Sequence, residues 1–347
     1  MFSATITVQA LALVLAGAAC SRANTSSAPA ANQGAASELR LGYFPNVTHA
    51  AALIGVQEGF FTKELGSTKL TTQQFNAGGT EANALLGGSL DAAFIGSGPA
   101  ISAFSKSKGA VELVAGATSG GAQLVVAPGI NSPADLKGKT LATPQLGNTQ
   151  DVSLKTWLHN NNLTGQVTVT NLDNPVALTE FQKGDIQGAW LPEPWSSQLV
   201  LTAGAKVLVN ETSLWPSGQF PTTVLVVRTQ FLQQHPATVQ ALLRGEVDAV
   251  DFAQSNPAKA ESDVNTQLKT LTGKALPQNV IDRAFSNITL TFDPLAGDFP
   301  ALAKDQVIAG ITKTAPSLTG FAKLTALNGV LRNAGKAAVS AAGLGSN

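Results

Sequence analysis

Residues 39–65 constrain the fold more than any other stretch. Leu39-Arg40-Leu41-Gly42-Tyr43-Phe44 is a short apolar run that reads as a buried strand. Pro45 and Asn46 end it. Thr48 stands where a helix N-cap belongs. Leu53, Val56 and Phe60 then recur at helical spacing, with Gly59 at the stop. A strand that passes through a polar turn into a helix N-terminus is the building unit of α/β sheets. Ligands of open α/β sheets gather at such strand ends. The unit recurs: strands at 69–75, 90–95, 111–117, 139–143 and 186–191 run into turns at 76–80, 96–99, 118–121, 144–150 and 192–195. From residue 231 onward the pattern is mostly helical, punctuated by Pro236, Pro257, Pro277, Pro294 and Pro316.

One internal echo suggests two related halves. Residues 88–97 match residues 184–193 in register, placing Phe94 opposite Trp190 and Ser97 opposite Glu193. Segments 123–127 and 222–227 read as the crossings between halves. Lobe one is then 39–127 plus 222–347, and lobe two is 128–221. Phe94 and Trp190 are expected near the mouth of the cleft between them.

A chain of 347 residues with 44% hydrophobic and 13% charged residues can bury a sizeable core, which excludes disorder over most of its length. Formal net charge is zero, which argues against a nucleic-acid binder, since that would show a basic face. No run of eighteen apolar residues follows the N-terminal region. Residues 1–19 read as a signal peptide, with an apolar block at 10–19 ending in small residues. Cys20, the single cysteine, follows directly and resembles the lipid-acceptor cysteine of a bacterial lipoprotein. The Gly17-Ala18-Ala19 approach lacks that class's usual leucine, and an ordinary signal peptide is the alternative. Residues 20–38 read as a lipidated cysteine and flexible tether. One cysteine also excludes an intrachain disulfide and a multi-thiolate metal site.

Taken in order, four motifs resemble the substrate-binding proteins of ABC importers, in the nitrate/sulfonate/taurine branch. They are Gly42-Tyr43-Phe44-Pro45-Asn46-Val47-Thr48-His49-Ala50 with Glu58-Gly59-Phe60-Phe61, Asp135-Leu136-Lys137-Gly138-Lys139, Thr143-Pro144-Gln145-Leu146-Gly147-Asn148-Thr149, and Gly188-Ala189-Trp190-Leu191-Pro192-Glu193-Pro194-Trp195. The resemblance covers residues 39–296. It implies a two-lobed type II periplasmic-binding-protein fold, each lobe a mixed β-sheet flanked by helices, with the ligand cleft between lobes. It also implies a monomeric receptor outside the cytoplasm, held to the membrane by its lipid alone and delivering its ligand to permease subunits. No catalytic residue, cofactor or metal is carried over. The Ala/Gly-rich C-terminal end is expected to be unstructured.

Sulfonates, sulfate esters and nitrate accept hydrogen bonds and carry no proton at neutral pH. Helix N-termini suit them, with free N–H groups and a positive dipole end. The candidate ligand residues are therefore Asn46, His49, Gly79, Thr80, Ser97, Thr118, Ser119, Thr149 and Gln150, with Trp190 as a cleft wall and Glu193 for an amine or hydroxyl on an organic tail. Each has a plainer reading: Thr80, Ser97 and Thr149 as caps, His49 bonded within its own unit, Trp190 as core, and Glu193 as a carboxylate favoured at a helix start. The rivals are a receptor for a thiamine-type pyrimidine, a sensor, and an enzyme on the same fold. The pyrimidine synthase of thiamine biosynthesis is similar in fold but uses a cysteine cluster, which a lone Cys20 cannot supply. No Gly-x-Ser-x-Gly or His-Glu-x-x-His spacing is present.

Overall fold

The computed structural model describes Met1, Phe2 and residues 31–347. The signal-peptide block, Cys20 and most of the tether lie outside the described residues. The first sheet begins with β1 (Glu38–Tyr43), β2 (Lys69–Gln74), β3 (Ala92–Gly96) and β4 (Val111–Gly120). Between them run α1 (Ala50–Gln57), α2 (Phe60–Leu65), α3 (Gly78–Leu86) and α4 (Ser97–Ser107). The chain then builds a second sheet from β5 (Ala122–Val126), β6 (Thr140–Thr143), β7 (Thr168–Asn171), β8 (Gly188–Pro192) and β9 (Lys206–Asn210), with α5 (Thr149–Asn160), α6 (Asn174–Lys183) and α7 (Trp195–Thr202). It returns to the first sheet with β10 (Pro221–Arg228). There follow α8 (Thr229–Gln234), α9 (Pro236–Ser255), α10 (Pro257–Thr272), α11 (Gln278–Ser286), β11 (Ile288–Leu290), α12 (Phe299–Ile308), β12 (Ala322–Lys323), α13 (Thr325–Asn333) and β13 (Gly345–Ser346).

Strand order is β13-β12-β4-β10-β3-β1-β2 in the first sheet, with β11 on β4, and β7-β6-β8-β5-β9 in the second. Both sheets follow one plan. β1 pairs parallel with β2 and β3, and β6 pairs parallel with β7 and β8. A strand that enters from the other sheet then pairs antiparallel with the last of these: β10 with β3, and β5 with β8. Sheet membership shifts the expected boundary. Ala122–Val126 belongs to the second sheet, so the crossing lies at Gly120–Gly121, not after residue 127. Both glycines have positive φ (75° and 81°), and a Cβ on Gly121 would stand 2.4 Å from Ile288 Cγ2.

The turn expected at 118–121 is for the most part strand. Thr118 and Ser119 end β4, with β10 paired on one side and β11 on the other. Long-range pairing takes up backbone groups that a local reading leaves free. Helix α1 also departs from the amphipathic pattern. Ala50 through Gly55 are all buried, because α9 and α10 pack across the face that would otherwise meet solvent. The C-terminal end is ordered, not unstructured: Gly345 and Ser346 pair with Ala322 and Lys323 and extend the first sheet.

The first sheet and its helices share one core. The second sheet has a core on each face, because residues alternate between faces. Trp190 is on the face with Leu124 and Trp157, while its neighbours Ala189 and Leu191 are on the other. In the first core Phe61 lies against two glycines: a Cβ on Gly55 or Gly245 would come within 2.3 or 2.6 Å of its ring. Full burial of that ring is worth about 2–3 kcal/mol.

Candidate functional site

Six strand ends converge on one small cavity of about 30 Å³. After β1 come Phe44, Asn46, Thr48 and His49. After β2 come Asn76, Ala77 and Gly78, the start of α3. After β3 come Gly96 and Pro99, the start of α4. The second sheet adds Pro144, Asn148, Thr149 and Gln150 after β6, Asn174 after β7, and Pro192 at the end of β8. Thr222 and Thr223 of β10 complete the wall. No Lys, Arg, Asp or Glu is among these lining residues. Neutral donors and helix N-termini set the electrostatics of the cavity.

The first turn of α5 is built to leave donors free. Asn148 is the N-cap; its Oδ1 accepts from Asp151 N–H at 2.9 Å, and its backbone oxygen accepts from Val152 N–H at 3.1 Å. Among the described residues the N–H groups of Thr149 and Gln150 have no partner, and both residues line the cavity. The Asp151 carboxylate turns away: it accepts from Thr143 Oγ1, Gly147 N–H and Lys155 Nζ at 2.8–2.9 Å.

His49 supplies a further donor. Its Nδ1 accepts from Phe44 N–H at 3.3 Å, and its ring stacks on Phe44 at 4.5 Å and 19°. Burial pushes its pKa down to about 3, so the ring is neutral at pH 7. With Nδ1 accepting, the proton resides on Nε2, which then donates.

Side chains from the two sheets meet across this space. Trp195 Nε1 donates to Asn46 Oδ1 at 3.0 Å, Gly98 N–H to Thr149 Oγ1 at 3.2 Å, and Gly79 N–H to Gln145 Oε1 at 3.0 Å. Thr48 N–H reaches Glu193 O at 3.3 Å. Gly96 and Gly98 allow this approach. A Cβ on Gly96 would lie 2.6 Å from Thr149 Oγ1, and one on Gly98 would lie 3.1 Å from Thr149 N.

The sequence-predicted residues divide. Asn46, His49, Thr149 and Gln150 line the cavity. Ser97 is fully buried at the start of α4, between the lining residues Gly96 and Pro99, and its Oγ has no partner. Gly79 and Thr80 face a neighbouring groove with Gln145 and Leu146 instead. Thr118 and Ser119 are buried in β4, where Ser119 Oγ accepts from Phe220 N–H. Trp190, expected as a cleft wall, is wholly buried against Trp157 at 6.5 Å; Pro192, two residues on, reaches the cavity instead. Phe94, expected near the mouth, is likewise core, beside Phe61 at 6.0 Å.

Glu193 is buried and engaged away from the cavity. Its Oε1 accepts from Arg283 Nη1 at 3.2 Å and Asn287 Nδ2 at 2.7 Å, and its Oε2 accepts from Ser197 N–H at 3.1 Å. Burial raises its pKa, against the lowering effects of Ser197, Ser196, Arg283 and Asn287. Arg283 also donates to Ser197 Oγ and Gln123 Oε1, both at 2.7 Å, and so ties the α11 segment to the second sheet. Asn174 was missed from sequence. The Pro175 beside it at the first helical turn is a signal that could have marked that helix start.

Known proteins resemble this chain in sequence and fold. A taurine-binding periplasmic protein of Escherichia coli K12 is 31% identical over 207 residues, which cover 59% of this chain and 64% of that protein. The match therefore spans less than two thirds of that relative's length. The alkanesulfonate-binding protein SsuA from Xanthomonas axonopodis pv. citri, solved bound to MOPS, superposes with a TM-score of 0.69 at 20% identity, covering 81% of this chain and 97% of SsuA. The periplasmic nitrate-binding protein NrtA from Synechocystis PCC 6803 gives 0.68 at 16% identity, covering 80% and 82%. These two share the fold: two sheets flanked by helices, in two lobes. The family model described as NMT1-like matches residues 32–266, well over half the sequence, and the chain belongs to the NMT1-like family.

Proposed function

We propose that this chain is the extracytoplasmic substrate-binding component of an ABC importer. It captures a small oxyanion, an aliphatic sulfonate foremost, and delivers it to membrane permease subunits without transforming it. The two units act as lobes: one carries β1–β4 and the chain from β10 onward, the other the chain from β5 to β9. One observation carries the reading: helix starts from both sheets line a single cavity that contains no charged side chain. An acceptor-only anion needs donors, and α5 N–H groups, His49 Nε2 and the helix dipoles supply them. The relatives above are binding proteins named for taurine, alkanesulfonates and nitrate. Among the described residues no helix is long and apolar enough to cross a membrane. Cys20, directly after the apolar block at 10–19, would serve as the lipid acceptor that anchors the chain. Isothermal titration of ligand-free protein with alkanesulfonates, taurine, sulfate esters and nitrate tests the proposal. Heat with at least one sulfonate at micromolar affinity is expected; no heat with any of these anions would refute the anion class.

A further inference from the structure

A second cavity shares no lining residue with the oxyanion cavity. It measures about 550 Å³, within the range of small-molecule sites. Its walls come from α5 past its first turn, from the Glu211–Leu214 turn after β9 and Trp215 beyond it, and from Ala301 and Asp305 of α12. Two carboxyls line it, Glu211 and Asp305, and no Lys, Arg or His does. Glu211 has no solvent exposure, and both its carboxyl oxygens are buried without a hydrogen-bond partner. Burial lifts its pKa to about 8 even with the Ser153 hydroxyl beside it. Asp305 is half-buried and accepts hydrogen bonds through its backbone oxygen, from Thr156 Oγ1 and Ala309 N–H, which leaves its carboxylate unengaged among the described residues. No ion pair among the described residues includes either carboxyl. Two carboxyls on one space are costly to bury unless something supplies donors to them.

We propose that this cavity is a second ligand site, separate from the oxyanion site, and that it takes a small organic cation bearing primary ammonium groups. One ammonium donates to Asp305 at the wall. Glu211 lies deeper and accepts a second donor once the wall adjusts by a side-chain rotamer. The alkyl chain packs against Trp157 and Trp215, and indoles attract cations as well as apolar groups. The lining selects this class over a bare metal ion. Trp157, Leu214, Trp215, Pro216 and Ala301 make much of the wall apolar, which suits an alkyl chain and not a hydrated ion. It also selects primary over quaternary ammonium, because the unpaired carboxyl oxygens call for N–H donors that a quaternary nitrogen lacks.

The test titrates 1,4-diaminobutane into the protein at fixed ionic strength and reads intrinsic tryptophan fluorescence, since Trp157 and Trp215 line the site. Tetramethylammonium and NaCl are the comparisons. The diamine should give a saturable change with a Kd of roughly 0.1–1 mM. Tetramethylammonium should bind about tenfold more weakly, and NaCl should not saturate. Asp305→Asn should weaken the diamine about tenfold. Ala301→Lys changes an exposed position one helical turn from Asp305 and sets the protein's own ammonium beside that carboxylate. It should abolish saturable binding while the thermal unfolding transition is retained. No saturable response to the diamine in wild type, equal affinity for tetramethylammonium, or unchanged diamine binding in either variant would overturn the proposal. None of these results bears on the oxyanion titrations.

Discussion

Replacing Gly96 by Ala should weaken ligand binding about thirtyfold without unfolding the protein. Gly96 has φ −63° and ψ 146°, so alanine is accepted by the backbone and the effect is steric alone. The new Cβ would lie 2.6 Å from Thr149 Oγ1 and 3.5 Å from Pro99 Cδ. Ordinary carbon–oxygen contact is about 3.3 Å, so roughly 0.7 Å must be found. The obstructing atom is on the opposite unit, and the cheapest relief is to part the two units or to rotate Thr149. Either response breaks the bond from Gly98 N–H to Thr149 Oγ1, worth about 1 kcal/mol. Overpacking adds about 1–2 kcal/mol. A total near 2 kcal/mol, charged to closure, is about thirtyfold in Kd. Titration of the preferred sulfonate into Gly96→Ala, Thr149→Ala and the double variant measures it. Because the clash is with Oγ1, Gly96→Ala should cost little in the Thr149→Ala background, where the nearest remaining atoms, Pro99 Cδ and Thr149 Cβ, are 3.5 and 3.7 Å away, at ordinary van der Waals distance. Unchanged affinity in the single variant, or an equal loss in both backgrounds, would refute the claim that binding depends on this approach.

Three further outcomes follow from buried titratable groups. His49 is held neutral with a pKa near 3 against 6.5 when unfolded, so its contribution is present above pH 6.5 and lost as pH falls toward 3. Between pH 7 and pH 5 that amounts to about 2 kcal/mol: the unfolding free energy from urea titrations should fall by that much more in wild type than in His49→Gln, and an equal fall in both would refute it. Glu211 runs the other way: burial lifts its pKa to about 8, so stability present below pH 4.5 declines as pH rises through 8. Glu211→Gln should flatten the fall of Tm between pH 5 and pH 9; an identical fall in the variant would count against burial of that carboxyl. Arg283→Met leaves the Glu193 carboxylate without its cation in a site with no solvent exposure. Urea unfolding should show a loss of about 3 kcal/mol, while Glu193→Gln with Arg283→Met should recover part of it.

The strand–turn–helix units were legible because their signals are local: an apolar run, a Pro or Gly stop, and a capping residue within a few positions. That same locality explains the misreadings. Thr118 and Ser119 look like a turn, and the ladder that keeps them in strand comes from β10 and β11, more than a hundred residues away. Trp190 could not be assigned to a face from pattern, because β8 is buried on both sides and period-two alternation leaves no polar trace. The partner of Glu193 is 90 residues distant, so local pattern offered a helix-start carboxylate or a contact for an organic tail, and not the commitment to Arg283.

The site itself sits on the boundary between these two kinds of information. Each helix start was visible alone, but a lone helix start binds nothing in particular; it is an unpaired N–H group with an ordinary cap. On the proposed reading the cavity is selective because β1–β3 and β6–β8 aim their ends at one point, and among the described residues the chain passes between the two sheets only twice, at Gly120–Gly121 and before β10. If Thr149 and Gln150 from one unit and His49 from the other hold the ligand as proposed, they act on it together only when the units meet. Affinity and closure are then a single equilibrium. Substitutions at the contact, such as Gly96→Ala, should consequently lower affinity for every oxyanion by the same factor.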